Sequence, residues 1–374
     1  MAEASSPVDS PAPVRAGEAL DLAGLEGYLT AHLPGISGGL EVLQFPAGYS
    51  NLTYLVRVEV NGEPRDLVLR RPPFGSEVAT AHDMGREHRV LTGLATVWDK
   101  VPRPVLFCAD AAVLGAPFYL MERVEGVILR GRPPAGIELT PARMRGLSAS
   151  FVDTFAELHG LEPAAAGLAD LGRPEGYVER QVRGWTKRYL AAKTDEVPEV
   201  ERAAAWLADH LPREPASPPT ALIHNDFKLD NLVLDPLDLT RVVAVLDWEM
   251  ATVGDPLMDL GSSLAYWIDP DDPEELVGPA VPHLTARPGS LRRGELVERY
   301  LAASGRELPA GTGPVFYYVY GQLKLAGIVQ QIFYRFRRGL TRDPRFAGLG
   351  ELVQACGKAA ELAIEKNRID RLTA

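Results

Sequence analysis

The sequence predicts an α+β chain in two lobes: a small, mostly antiparallel sheet with one embedded helix, then a larger helical part. Three observations carry this. Short, partly alternating, β-branched runs crowd the first third, "LEVLQF", "NLTYLVRVEV" and "RDLVLRR". Asn61-Gly62 separates the last two, and this dipeptide supplies the left-handed conformations a two-residue hairpin needs. Beyond about residue 124 the apolar spacing becomes helical, as in "TPARMRGLSASFVDTFAELHGL".

The elements follow in order. Residues 1–18, rich in Pro, Ser and Ala, read as a disordered tail. "DLAGLEGYLTAHL" is a helix with Asp21 as its cap. After the three strands, "ATAHDMGREHRVLTGLA" is the embedded helix, and "PVLFCAD" and "PFYLMERVE" are further strands, so residues 19–124 form the first lobe. Residues 125–374 form the second. Thr140 and Pro141 open its first helix as N-cap and first turn. "EGYVERQVRGWTKRYLAA", "PEVERAAAWLADHL", "LVERYLAASG" and the run from Phe316 to Phe336 are helical, and "RVVAVLDW" is a buried strand ending on an acid. Pro256 after Asp255 makes Asp255 an N-cap.

The bulk numbers exclude several classes. A net charge of -11 argues against a nucleic-acid partner. Two cysteines without a CxxC argue against a disulfide framework or structural zinc and suit a reducing compartment. The chain has no apolar run long enough to span a bilayer, and its first twenty residues lack the apolar core of a secretory signal. The expectation is a cytoplasmic protein with no membrane partner, monomeric or homodimeric.

Chemistry concentrates in "LIHNDFKLDN", residues 222–231, which puts a His, two Asp, a Lys and an Asn after a short apolar run. Loops normally solve backbone problems with Gly, Pro, Ser and Asn. Phosphoryl transfer from a nucleotide needs a carboxylate at the acceptor hydroxyl and hard oxygen ligands for Mg²⁺. Asp226 suits the first role, with Asn231 and Asp247, at the end of the next strand, suiting the second. Asn231 follows Asp226 by five positions, the spacing of the H-x-D-x-x-x-x-N loop of kinases. Lys228 is placed to neutralise the γ-phosphate, its bland alternative being a solvated loop lysine. His224 reads as structural, holding the loop by hydrogen bonds.

These residues, with "AGYSNLTYLVRV", "DLVLRRP", "REHRVL", "PFYLMERVEG" and "VLDWEMATVGDPLMDLG", resemble the aminoglycoside phosphotransferase and choline kinase-like superfamily, within the protein-kinase-like fold. The resemblance runs from about Gly48 to Asp259 and more loosely to the C-terminus. It is especially close to the kinase-like domains fused to acyl-CoA dehydrogenases in animals. It implies ATP, with GTP as an alternative, and Mg²⁺ as cofactors, and a small-molecule hydroxyl as acceptor. It also implies Asp226 as catalytic base and Asn231 and Asp247 as metal ligands. Arg70 falls where the family has its phosphate-binding strand lysine, and Glu87 where the helix glutamate pairs with it. Arg is a departure from Lys but still grips phosphate and carboxylate bidentately. Alternation along the strand leaves Arg70 and Arg71 as alternatives. "PAGYSN" would cover the phosphates through Gly48, Ser50 and Asn51, as an anion nest. "YLMERVEG" would be the hinge, with Met121 lining the adenine pocket and the Glu122 carbonyl and Val124 amide bonding the base. Asp255 would brace the catalytic loop.

The acceptor side has two candidate stretches. "AYWIDPDDPEEL" offers Tyr266, Trp267 and Asp269, and "GIVQQIFYRFRRG" offers Gln330, Gln331, Tyr334 and a cationic cluster from Arg335 to Arg338. The basic cluster would suit a hydroxy acid or its CoA thioester, and the acidic run from Asp269 to Asp272 an aminoglycoside-like cation. The bland readings are a helix C-terminus favoured by its dipole and a solvated loop. A nucleotide-binding scaffold without transfer is the rival reading, resting on the Arg70 substitution. A protein acceptor is disfavoured because no APE-like segment follows "LDWEMATVGDP".

Overall fold

A computed structural model of the chain describes residues 10–45, 51–74, 83–131, 133–134, 136–213, 219–277, 283–341 and 343–373. In chain order the elements are α1 (Leu22–His32), β1 (Ile36–Gln44), β2 (Leu52–Val60), β3 (Glu63–Arg71), α2 (Met84–Leu94), β4 (Pro104–Cys108), α3 (Ala111–Leu114) and β5 (Phe118–Glu122). Then come α4 (Pro141–His159), α5 (Tyr177–Ala192), α6 (Pro198–Asp209), β6 (Ala221–Ile223), β7 (Leu232–Leu234), β8 (Val242–Val245) and β9 (Thr252–Gly254). The last five are α7 (Pro256–Ala265), α8 (Glu274–Val277), α9 (Arg293–Ser304), α10 (Pro314–Arg337) and α11 (Leu349–Lys366).

The chain divides into two compact units, giving the two-lobed α+β architecture. The first comprises Met1–Ile128, Asn231–Asp238 and Val242–Ala251, and the second the remainder. The first unit is therefore larger than the expected 19–124. It takes in the β7–β8 hairpin, because the Val127 and Leu234 backbones exchange both hydrogen bonds at 2.8 Å and Val245 N donates to Lys100 O. Ile128, Val233 and Ala244 form the small apolar core beneath.

The first unit's main sheet has the order β1-β2-β3-β5-β4, antiparallel throughout. Asn61 and Gly62 turn between β2 and β3 with φ of 53° and 84°, as the dipeptide predicts. The two-residue period then sorts the side chains. Tyr54, Val56, Val58, Leu67 and Leu69 face the core with Leu25 and Leu29 of α1. Arg70, next to Leu69, points to the other face, toward α2. The expected tail of 1–18 is too long. Ala12 exchanges backbone bonds with Gln44 at the sheet edge, and Arg15 N donates to the Gln44 side chain. Pro11 and Pro13 lack amide donors, so Ala12 alone can pair there.

In the second unit Thr140 caps α4 ahead of Pro141, and Asp255 caps α7 ahead of Pro256, accepting from Leu257 N and Met258 N. Helices α7 and α10 cross with their backbones in near contact. A Cβ on Gly261 would collide with Tyr317 O, and one on Gly321 with Gly261 O. Helix α11 has no counterpart among the expected helices. Its buried face is Val353, Ala355, Cys356, Gly357, Ala359, Ala360 and Ala363.

Candidate active site

In the first unit the site is built on β3, α2 and the β7–β8 hairpin. The buried stripe of α2 is Met84, Glu87, Val90, Leu91 and Leu94, so a carboxylate occupies an otherwise apolar face. Its partner is Arg70, whose Nη1 donates to Glu87 Oε1 at 2.7 Å. The same guanidinium donates through Nη2 to Asp247 Oδ1 at 3.0 Å and lies 3.7 Å from Glu249. Burial opposes the charge on Arg70, but Glu87 and the acids around it outweigh that and keep it protonated. Arg71 is spent elsewhere, donating to the carbonyls of Leu114 and Pro72. Of the two, Arg70 is the one that faces Glu87 and Asp247.

Asp247 follows β8 in a left-handed conformation, φ 69°. Such backbone is disfavoured for residues other than Gly and clusters at functional sites. Trp248 anchors the turn: it is buried, donates to Val245 O, and meets Trp98 edge-on at 6.1 Å. Leu246 N donates to Asn231 O at 2.8 Å, so the two expected metal ligands ride on adjoining strand ends of one hairpin. A carboxamide and a carboxylate are both hard oxygen donors, the set that suits Mg²⁺. Asp247 retains 31% side-chain exposure. The residues fit the ion.

Gly48 and Ser50 lie outside the described residues. Asn51 is buried, and its Nδ2 donates to Glu249 Oε2 at 2.7 Å. Met121 and Glu122 end β5, with Val124 two residues beyond. Met121 is buried, Glu122 accepts from Arg65 at 3.0 Å, and Val124 packs on the small hairpin core.

In the second unit Asp226 lies in the loop after β6. Lys228 Nζ donates to its Oδ2 at 2.7 Å and sits 4.9 Å over the Tyr266 ring. Burial and then the adjacent Asp226 charge push the Tyr266 phenol well up, so it stays a neutral hydroxyl beside that carboxylate. His224 is fully buried and its Nδ1 accepts from Asp226 N at 3.2 Å, the structural role expected of it.

One expectation is corrected here. The carboxylate hydrogen-bonded to this loop is Asp259, which accepts from His224 N at 2.7 Å and Asn225 N at 2.8 Å. Asp255 instead caps α7. Asp259 also accepts from His159 Nε2 at 3.2 Å, while His159 Nδ1 faces Tyr300 Oη at 2.7 Å. That pattern fits the neutral imidazole with its proton on Nε2. Burial keeps His159 below its ordinary pKa against the pull of Asp259. For Asp259 burial pushes upward, but the His159 bond and nearby cations hold the carboxyl below the usual range.

The acceptor candidates separate. Tyr266 adjoins Asp226 and Lys228. Trp267, Asp269 and Gln330 are buried and committed, which corrects their expected part in holding a substrate. Trp267 Nε1 donates to Leu291 O at 2.8 Å, and Gln330 Nε2 to Ala192 O and Thr194 Oγ1 at 2.9 Å. Asp269 accepts from Arg293 N at 3.0 Å, and burial raises its pKa to about 7. Arg293 forks onto Asp272 at 2.6 and 2.7 Å. Asp269 and Asp272 are therefore internal structure, while Asp271 between them stays exposed and pairs with Arg292. Tyr334 pairs with Arg338 near the end of α10, where Arg335 and Arg337 also fall, as a helix dipole favours. The sequence reading missed Glu249, Arg293 and Lys324. Lys324 alone carried a local signal, as the one charged residue from Pro314 through Tyr334.

Similarity to known proteins agrees with this geometry. The chain is 36% identical over 324 residues to acyl-CoA dehydrogenase family member 11 of Rattus norvegicus, covering 85% of this chain and 40% of that protein. It is 40% identical over 258 residues to family member 10 of Mus musculus, covering 68% of this chain and 23% of that protein. It therefore spans well under half the length of these relatives. Among solved structures, a candidate aminoglycoside phosphotransferase from Ralstonia eutropha JMP134 is 30% identical with a TM-score of 0.76, covering 93% of this chain and 99% of that one. Macrolide 2'-phosphotransferase type I shares the fold at 20% identity, with a TM-score of 0.55 over 90% of this chain and 96% of that one. Among the described residues no helix is long and apolar enough to cross a membrane. The family model for the phosphotransferase enzyme family matches residues 41–310, from β1 past α9, and the chain belongs to that family.

Proposed function

We propose that the chain transfers the γ-phosphoryl group of ATP, or of GTP, to a hydroxyl of a small molecule. The observation that carries the reading is Arg70, bonded at once to the helix glutamate Glu87 and to Asp247. A strand cation, a helix carboxylate and a metal-binding carboxylate are the parts phosphoryl transfer uses to order a triphosphate. Arg70 orients the α- and β-phosphates, and Glu87 fixes the guanidinium. Asn231 and Asp247 hold Mg²⁺, which when bound neutralises charge on the phosphate oxygens. Asp226 orients the acceptor hydroxyl and takes its proton. Lys228, already bonded to Asp226, offsets charge on the transferring group.

The acceptor is a hydroxy acid or its CoA thioester. Supporting this, Asp269 and Asp272 are committed to Arg293 and so offer nothing to a cation. Lys228, by contrast, stands at the carboxylate read as meeting the acceptor, its Nζ 2.7 Å from Asp226 Oδ2. An antibiotic acceptor is the other arm of the test. Labelled ATP is offered with Mg²⁺ and panels of hydroxy acids, their CoA esters and aminoglycosides. Label should pass to an anionic hydroxyl compound. Transfer to aminoglycosides only would overturn the acceptor class. Nucleotide binding with no transfer to any panel would favour a scaffold role.

A further inference from the structure

The catalytic loop rests on a buried cation to which the proposed chemistry gives no role. Lys324 projects from α10 and is 3% exposed. Its Nζ donates to Asn225 O at 2.6 Å, to Asn225 Oδ1 at 3.2 Å and to Ser262 Oγ at 3.2 Å. An ammonium has three donors, and these three acceptors account for all of them. The close crossing of α7 and α10 at Gly261 and Gly321 brings Ser262 and Lys324 to the same level.

Asn225 is the residue before Asp226 and is left-handed, φ 67°. Its amide is held by Asp259 and its carbonyl by Lys324, so both faces of its peptide links are fixed from outside the loop. Asn tolerates this backbone better than other residues with a Cβ, yet the conformation is still uphill and persists only when its surroundings impose it. The direction in which Asp226 leaves the chain follows from that turn.

We propose that Lys324 is a positioning residue for phosphoryl transfer, pinning Asn225 in its left-handed turn and so fixing the direction of Asp226. This rests on the reading of Asp226 as the residue that meets the acceptor. An arginine would not serve, because its planar five-donor fork does not fit three acceptors grouped around one point.

The test has two independent readouts. In Lys324→Met, kcat falls about 100-fold, the loss expected of an ångström-scale misplacement, while the nucleotide KM is unchanged. Adding Asn225→Gly restores part of that kcat, since glycine takes the turn without a pin. Wild-type kcat in Lys324→Met, or a loss that Asn225→Gly does not lessen, overturns the proposal. The second readout needs no turnover: amide hydrogen exchange across residues 222–231. Exchange in Lys324→Met should quicken there and not in β2 or β3. Should the methionine variant fail to fold, Ser262→Ala, which removes one acceptor, should show the same local effect more weakly. Unchanged exchange overturns the pin. If the wild type phosphorylates no acceptor, the functional reading fails while exchange still decides whether Lys324 holds the loop.

Discussion

Replacing Asp259 by Asn separates two aspartates that stand four residues apart and do different work. The side chain keeps its shape, but one of two accepting oxygens becomes a donor. Asp259 Oδ2 receives both His224 N and His159 Nε2, and Oδ1 receives Asn225 N. The better orientation of the carboxamide keeps its oxygen on the first pair and turns its NH₂ toward Asn225 N. One buried amide is then left facing a donor, which costs about 1–3 kcal/mol. The two surviving bonds lose their charge assistance, roughly another 1 kcal/mol between them. A total of about 2–4 kcal/mol lowers an unfolding midpoint by roughly 5–15 °C in a unit of this size. Asp255 is different, because its Oδ1 alone accepts both Leu257 N and Met258 N. An Asn cap keeps that oxygen, and Asn and Asp are nearly equal as caps, so Asp255→Asn should change stability by only a few tenths of a kcal/mol. Differential scanning calorimetry compares the two variants, and steady-state turnover follows the loop. Asp259→Asn should also lose turnover, Asp255→Asn little. Equal effects of the two substitutions, or a silent Asp259→Asn, would refute the assignment of Asp259 as the brace.

Other perturbations test neighbouring links. Asp226→Ala should reduce kcat by about 10²- to 10⁴-fold, and Asp247→Ala at least as much, read as phosphate transfer with the true acceptor. Wild-type turnover in either variant would refute the roles. Arg70→Met should destabilise the first unit by about 3–5 kcal/mol, because it leaves the Glu87 carboxylate buried without its cation. Arg70→Met with Glu87→Met should recover much of that in urea denaturation, though not nucleotide binding. His159 is held below its ordinary pKa by burial, so the unfolded chain takes up a proton near pH 6.5 that the folded chain refuses. Stability from this group is present above that pH and is lost as pH falls toward the folded value. The midpoint should decline between about pH 7 and 5, and less steeply in His159→Gln. Gly321→Ala forces apart helices whose backbones nearly touch and should cost about 1–3 kcal/mol or more in the same denaturation assay.

What the sequence made legible was whatever is decided within a few residues. The Asn61-Gly62 hairpin, the Thr140-Pro141 and Asp255-Pro256 helix starts, and the facing of Leu69 against Arg70 all follow from local backbone preference and the strand period. The nearness of Asn231 to the Asp247 turn was legible for a related reason, since the two flank neighbouring strands of one short hairpin, where spacing along the chain still limits distance in space. What escaped were the partners. Arg293 takes Asp269 and Asp272 from more than twenty residues away, and Lys324 reaches Asn225 from 99 residues away. Nothing local distinguishes a solvated "DPDD" from one closed around an arginine. Nor does a cap motif reveal which of Asp255 and Asp259 reaches another segment, because capping is local and bracing is not. The loop that carries Asp226 can be picked out from one stretch of chain, but the side chains that hold it come from helices α7 and α10, placed by a glycine crossing. Two non-glycine left-handed residues sit in this motif, Asn225 and Asp247, and each is held by contacts from distant sequence. Backbone conformations so disfavoured are stable only when the tertiary structure imposes them. A search for positioning residues in this family should therefore start from the strained backbone and ask which distant side chains hold it.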